Sequence, residues 1–135
     1  MSYIPKYILK RMIPKDAVKL IGDNLEITMV NVISPISIDE VPDDLLNYLE
    51  LKVDNEVVMG AGNEGVGSGL QIKAEGKVFT LKNVKEAVGL TLPVGGTLTV
   101  VMPNVKKLEK GSTHSFEVTI KTNNPVNVQF EREVC

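Results

Sequence analysis

The sequence contains no tryptophan, only 4% aromatic residues, one histidine and one cysteine. Each scarcity narrows the reading. The lone Cys135 cannot staple a domain, so the fold is expected to stand without disulfides and the chain to be cytoplasmic. A single histidine means that any Ser-His-Asp relay must use His114. It sits in Gly111-Ser112-Thr113-His114-Ser115, just ahead of a strand-like segment, where a solvent-facing loop histidine is the expectation. One histidine and one cysteine cannot make a zinc site in one chain without carboxylates. No apolar run approaches the length of a membrane span. Residues 1–13 alternate apolar with basic side chains around Pro5, unlike the continuous apolar region of a signal peptide. Net charge is small, -2, which argues against a nucleic-acid binder of the basic kind.

What is present points to sheet. The 135 residues are 43% hydrophobic, enough for one domain over 1–135 with its own core. Val, Ile and Leu dominate that fraction, and β-branched side chains suit a pleated, half-buried surface. Period-two patterns recur: Leu49, Leu51 and Val53; Leu70, Ile72 and Ala74; Phe116, Val118 and Ile120; Val126, Val128 and Phe130. Each alternates with polar residues, as a strand with one wet face requires. Turn residues fall between apolar runs. Gly22-Asp23-Asn24 divides Ala17–Ile21 from Leu25–Ile33, Asp54-Asn55 precedes Val57–Met59, and Glu75-Gly76 precedes Lys77–Leu81. Gly95-Gly96 precedes Thr97–Met102, and Asn123-Asn124-Pro125 divides the last two strands. Helix is expected only in pieces, at Val41–Leu46 and at Val84–Val88, the latter capped by Asn83 and ended by Gly89. Residues 1–14 fit neither period and read as an N-terminal arm. The pattern predicts an antiparallel β-sandwich of about seven to nine strands, with one or two short helices in its connections. The stretch Val118–Val128 resembles the strand–Asn-Pro–strand segment of the late-embryogenesis-abundant β-sandwich domains; that likeness implies a sandwich and carries no function.

Three constellations are candidates for chemistry or contact. Gly60-Ala61-Gly62-Asn63-Glu64-Gly65 matches G-x-G-x-x-G, but Val66-Gly67-Ser68-Gly69 follows and would destroy the helix that a dinucleotide site needs. The residual reading for Gly60, Gly62 and Gly65 is a loop whose backbone N–H groups could form an anion nest. Asp39, Glu40, Asp43 and Asp44 form the one acidic cluster suited to a hard cation, without EF-hand spacing, and a solvated acidic turn is the plainer account. Charge is also segregated. Residues 1–20 carry Lys6, Lys10, Arg11, Lys15 and Lys19 against Asp16 alone, whereas Asp23–Glu64 holds Lys52 as its only cation. Tyr3, Lys6, Tyr7, Lys10 and Arg11 are therefore the expected interaction residues. They point to a non-enzymatic binding or assembly module without a cofactor, acting on a second copy of the chain or on another protein. A mean hydropathy of +0.06 leaves apolar surface for such a contact. The alternative is a small-ligand or enzyme domain built on the Gly60–Gly69 loop and nearby carboxylates.

Overall fold

The computed structural model describes residues 6–32, 34–37, 49–60, 69–80, 82–120 and 126–135, with the side chains of Lys6, Ile36, Ile120 and Val126 excepted. Among them a helix α1 (Lys6–Met12) leads into β1 (Val18–Ile21), β2 (Asn24–Val30) and β3 (Ile36–Ser37). Then follow β4 (Leu49–Val53), β5 (Glu56–Met59), β6 (Gln71–Ala74) and β7 (Lys77–Thr80). After a 3-10 helix at Val84–Ala87 come β8 (Thr91–Leu92), β9 (Thr97–Pro103), β10 (Thr113–Ile120) and β11 (Val126–Glu133).

The hairpins form where the sequence supplies positive φ. Gly22, at φ 60, opens the two-residue loop that sets Ile21 opposite Asn24. Asp54 and Asn55, at φ 51 and 69, make the loop between β4 and β5 a mirror-image turn, matched to the right-handed twist of its strands. Glu75 and Gly76, at φ 52 and 75, do the same between β6 and β7, with Ala74 opposite Lys77. These pairs assemble into an antiparallel five-stranded sheet, β1-β2-β9-β6-β7, and an antiparallel four-stranded sheet, β11-β10-β4-β5. The short β3 and β8 pair separately. Alternation decides which face each strand buries. Val18, Ile27, Val100 and Met102 from the first sheet meet Leu51, Val53, Met59, Phe116, Val118, Val128 and Phe130 from the second in one buried cluster. Phe116 stacks on Phe130, ring centroids 5.4 Å apart, a pair worth about 0.5–1.5 kcal/mol beyond its buried area. The protein is mainly β, as its alternation predicts.

Local chemistry departs from expectation in three places. Residues 6–12 of the expected arm are helical and dock on the chain's own core through Leu9 and Met12, followed by the fully buried Ile13. The segment at Val84–Ala87 is a 3-10 turn, and Asn83 does not cap it. Its Oδ1 instead accepts from Thr80, through the backbone N–H at 2.6 Å and the hydroxyl at 3.3 Å, turning the chain out of β7. The third departure is His114, the second residue of β10 rather than part of a loop. The expected helix at Val41–Leu46 and the turn at Asn123-Asn124-Pro125 lie outside the described residues.

The two sheets are joined by backbone along one side. Val134 N–H donates to Ser112 O at 2.8 Å, extending the β10–β11 ladder. Cys135 then donates to Val18 O at 3.0 Å and accepts from Leu20 N–H at 2.9 Å, which attaches the end of the four-stranded sheet to β1.

Candidate functional site

Helix α1 has two unlike faces. Leu9 and Met12 lie against the core, and Ile13 donates back to Leu9 O at 2.9 Å to close the last turn. Tyr7, Lys10 and Arg11, spaced i, i+3 and i+4, share the opposite face and are exposed. Tyr7 retains 70% of its surface, a high value for an aromatic side chain. Lys10 and Arg11 fall in the last turn, where cations complement the helix dipole. Among the described residues neither they nor Lys15 form an ion pair. Lysine pairs lie elsewhere among the described residues, between Lys19 and Asp16, Lys52 and both Glu50 and Glu117, Lys73 and Glu26, and Lys106 and Glu56.

Arg132, from β11, fixes the helix to the sandwich. Its Nη2 donates to Ile13 O at 2.6 Å, its Nε to Pro14 O at 3.1 Å and its Nη1 to Glu131 O at 2.6 Å. The guanidinium also lies over the Phe130 ring, 5.8 Å from its centroid. With three carbonyls engaged, Arg132 is a structural clasp whose donors are committed to backbone. Beside it a broad cleft of about 630 Å³ runs between Lys10, Ile13 and Lys15 on one wall and Thr113, Glu131 and Glu133 on the other. The site is therefore a cationic ridge carrying one aromatic side chain, beside an open cleft.

A second constellation has the outline of a catalytic relay. His114 Nδ1 lies 2.6 Å from Asp54 Oδ2, and Nε2 lies 2.9 Å from Ser112 Oγ. The Asp54 carboxyl is held below its ordinary range, first by the His114 hydrogen bond and then by Ser115 N–H, which donates to Oδ1 at 3.0 Å. The surroundings do not serve acyl transfer. Ser112 Oγ donates to Glu109 O at 2.5 Å, so its hydrogen points away from the imidazole. The neighbouring amides of Gly111 and Ser112 are bonded to Val134 O and Glu109 O, leaving neither for an oxyanion. His114 is a clamp between the β4–β5 turn and the start of β10. Its side chain is 21% exposed, which corrects the expectation of a solvent-facing loop histidine: strand pairing carries Asp54 alongside Ser115 and the ring closes over it.

The remaining expected residues are not brought together. Gly60 follows β5 in a buried position, while Gly62 and Gly65 lie outside the described residues. Asp39, Glu40, Asp43 and Asp44 also lie outside them, as does Tyr3, and Lys6 is described by its backbone alone. No group of three or more His, Cys, Asp or Glu residues suited to a metal occurs among the described residues, nor any helix long and apolar enough to cross a membrane. Between the sheets lies a cavity of about 70 Å³, lined entirely by apolar side chains that include Met29, Met59 and Met102. Sequence reasoning did not find the Arg132 clasp, because two of its three partners are carbonyl oxygens more than a hundred residues earlier, a separation of 119 for Ile13.

No protein-family model and no curated protein matches the sequence. One solved structure to which the chain is similar is ACE19, the collagen binding subdomain of the Enterococcus faecalis surface protein ACE. The two are 13% identical over 87% of this chain and 92% of that one, with a TM-score of 0.25, too low an overlap to carry an argument about either fold or function.

Proposed function

We propose that the domain is a non-enzymatic binding or assembly module whose contact surface centres on the outward face of α1. The observation that carries this reading is Tyr7, 70% exposed and flanked on one helix face by Lys10 and Arg11, which form no ion pair among the described residues. Tyrosine and arginine are the side chains that most often anchor protein interfaces, because they bring large contact area with few torsions to freeze. The Arg132 clasp and the buried Ile13 hold the ridge in place before a partner arrives, which lowers the ordering cost of binding. The assembly we favour is a homo-oligomer in the cytoplasm. A single exposed thiol with no disulfide suits a reducing compartment, and a small all-β domain has sheet edges that a second copy can cover.

The test is sedimentation of the intact chain beside a triple variant, Tyr7→Ala, Lys10→Glu and Arg11→Glu. These three side chains face outward, so the variant should keep its fold and lose its association. Removal of residues 1–13 would not serve, because it would strip Ile13 from the core. A variant that associates as strongly as the intact chain overturns the reading. If the cations carry the contact, it should also loosen as ionic strength rises.

A further inference from the structure

The four-stranded sheet ends in β11, whose eight residues are paired on one side by β10. Hydrogen bonding fixes which of its backbone groups remain. Ser115 O accepts from Asp54 N–H on the β4 side, and Ser112 O accepts from Val134 N–H on the β11 side. Antiparallel pairing alternates, so His114, Phe116 and Val118 turn their peptide groups to β11 and receive those of Arg132, Phe130 and Val128. The N–H and C=O groups of Asn127, Gln129 and Glu131 therefore point outward. Among the described residues no strand pairs with them.

The other edges of the two large sheets are short or covered. β1 is paired by Cys135, and β5 and β7 have four residues each. Natural edges are commonly guarded by lysine or proline, yet Val126-Asn127-Val128-Gln129-Phe130 contains neither and carries no charge. The side chains on its outer face are already ordered: Asn127 donates to Glu117 and Thr119, and Gln129 donates to Glu117 and to Asn127. The strand is thus polar on its wet face, and its charges are confined to Glu131, Arg132 and Glu133 at its C-terminal end.

We infer that the outer edge of β11 pairs antiparallel with β11 of a second copy, joining two four-stranded sheets into one. A two-fold axis through Gln129 sets Gln129 opposite its copy and Asn127 opposite Glu131, so no carboxylate faces a carboxylate. About six backbone hydrogen bonds would form across such a seam. This self-compatibility is what selects a second copy over a foreign strand. The inference rests on the reading of the domain as an assembly module, and it names the partner and the geometry.

The experiment combines sedimentation with amide hydrogen exchange on the full chain. The intact chain should be a dimer at high protein concentration, with the amides of Asn127, Gln129 and Glu131 protected there and fast on dilution. Gln129→Pro removes an outward N–H that β10 does not use, so it should give a monomer with an unchanged circular dichroism spectrum. Should that variant fail to fold, the exchange of the three amides in the intact chain decides the matter. A strictly monomeric intact chain overturns the inference, as does a dimer whose three amides exchange as fast as those of the Gly22–Asp23 turn. If Gln129→Pro leaves the dimer intact while the α1 triple variant abolishes it, the edge pairing fails and the α1 reading stands.

Discussion

Single side chains set the firmest constraints in this molecule. Asn31 is the one polar residue in the buried class among those described, and its Nδ2 reaches Ser34 O at 2.7 Å, Leu92 O at 3.0 Å and Pro93 O at 3.3 Å. A donor amide placed among carbonyls turns a local crossing of chain segments into a fixed one. Asp54 offers the clearest pH signature. Its folded carboxyl is depressed by His114 and by Ser115 N–H, whereas in the unfolded chain it titrates near the ordinary value of about 3.9. The stability it contributes is therefore complete above that pH and is lost as pH falls through the lower folded value. Asp54→Asn should flatten this part of the acid limb in urea titrations followed below about pH 4. A limb of unchanged slope would show that the clamp does not bear on stability.

At the level of elements, what could be read from the sequence and what could not divide along a physical line. Hairpins were legible because their register depends on residues adjacent in the chain: Asp54-Asn55 and Glu75-Gly76 adopt positive φ, and the flanking alternation chooses the buried face. Helix α1 was not legible. Lys, Leu, Arg and Met favour helix, but seven residues are too few to hold one alone, and so short a helix is held by what it packs against. Its packing partners, Arg132 and the cluster around Ile13, belong to the tertiary fold. Tyr7, Lys10 and Arg11 could be named from charge and composition, but their common face required the helix. His114 was misjudged for a related reason, since its partner Asp54 is 60 residues away and meets it only once β4 and β10 pair. The docking of α1 can be tested directly. Ile13→Ala should cost about 2–5 kcal/mol in denaturant unfolding, as a large-to-small change at a fully buried site does. A cost within about 0.5 kcal/mol, typical of surface positions, would mean that the helix is not part of the core.

Across the whole molecule, the backbone bonds of Cys135 to Val18 and Leu20 give the sandwich a spine. The two sheets behave like the covers of a book bound along that side. Among the described residues no backbone bond joins β5 to β7 on the other side, so the covers are not tied together there. Thermal breathing should then open the fore-edge first, admitting solvent to the cavity where Met59 of β5 faces Ile72 of β6. Dilute peroxide becomes a page-marker for that motion, because thioether oxidation needs contact with the reagent. Met59, only 1% exposed at rest, should be oxidised more slowly than the half-buried Met29, and on the timescale of opening rather than of global unfolding. Peptide mapping after timed exposure reads both rates. Oxidation of Met59 only under conditions that unfold the whole chain would mean that the covers open together with the spine.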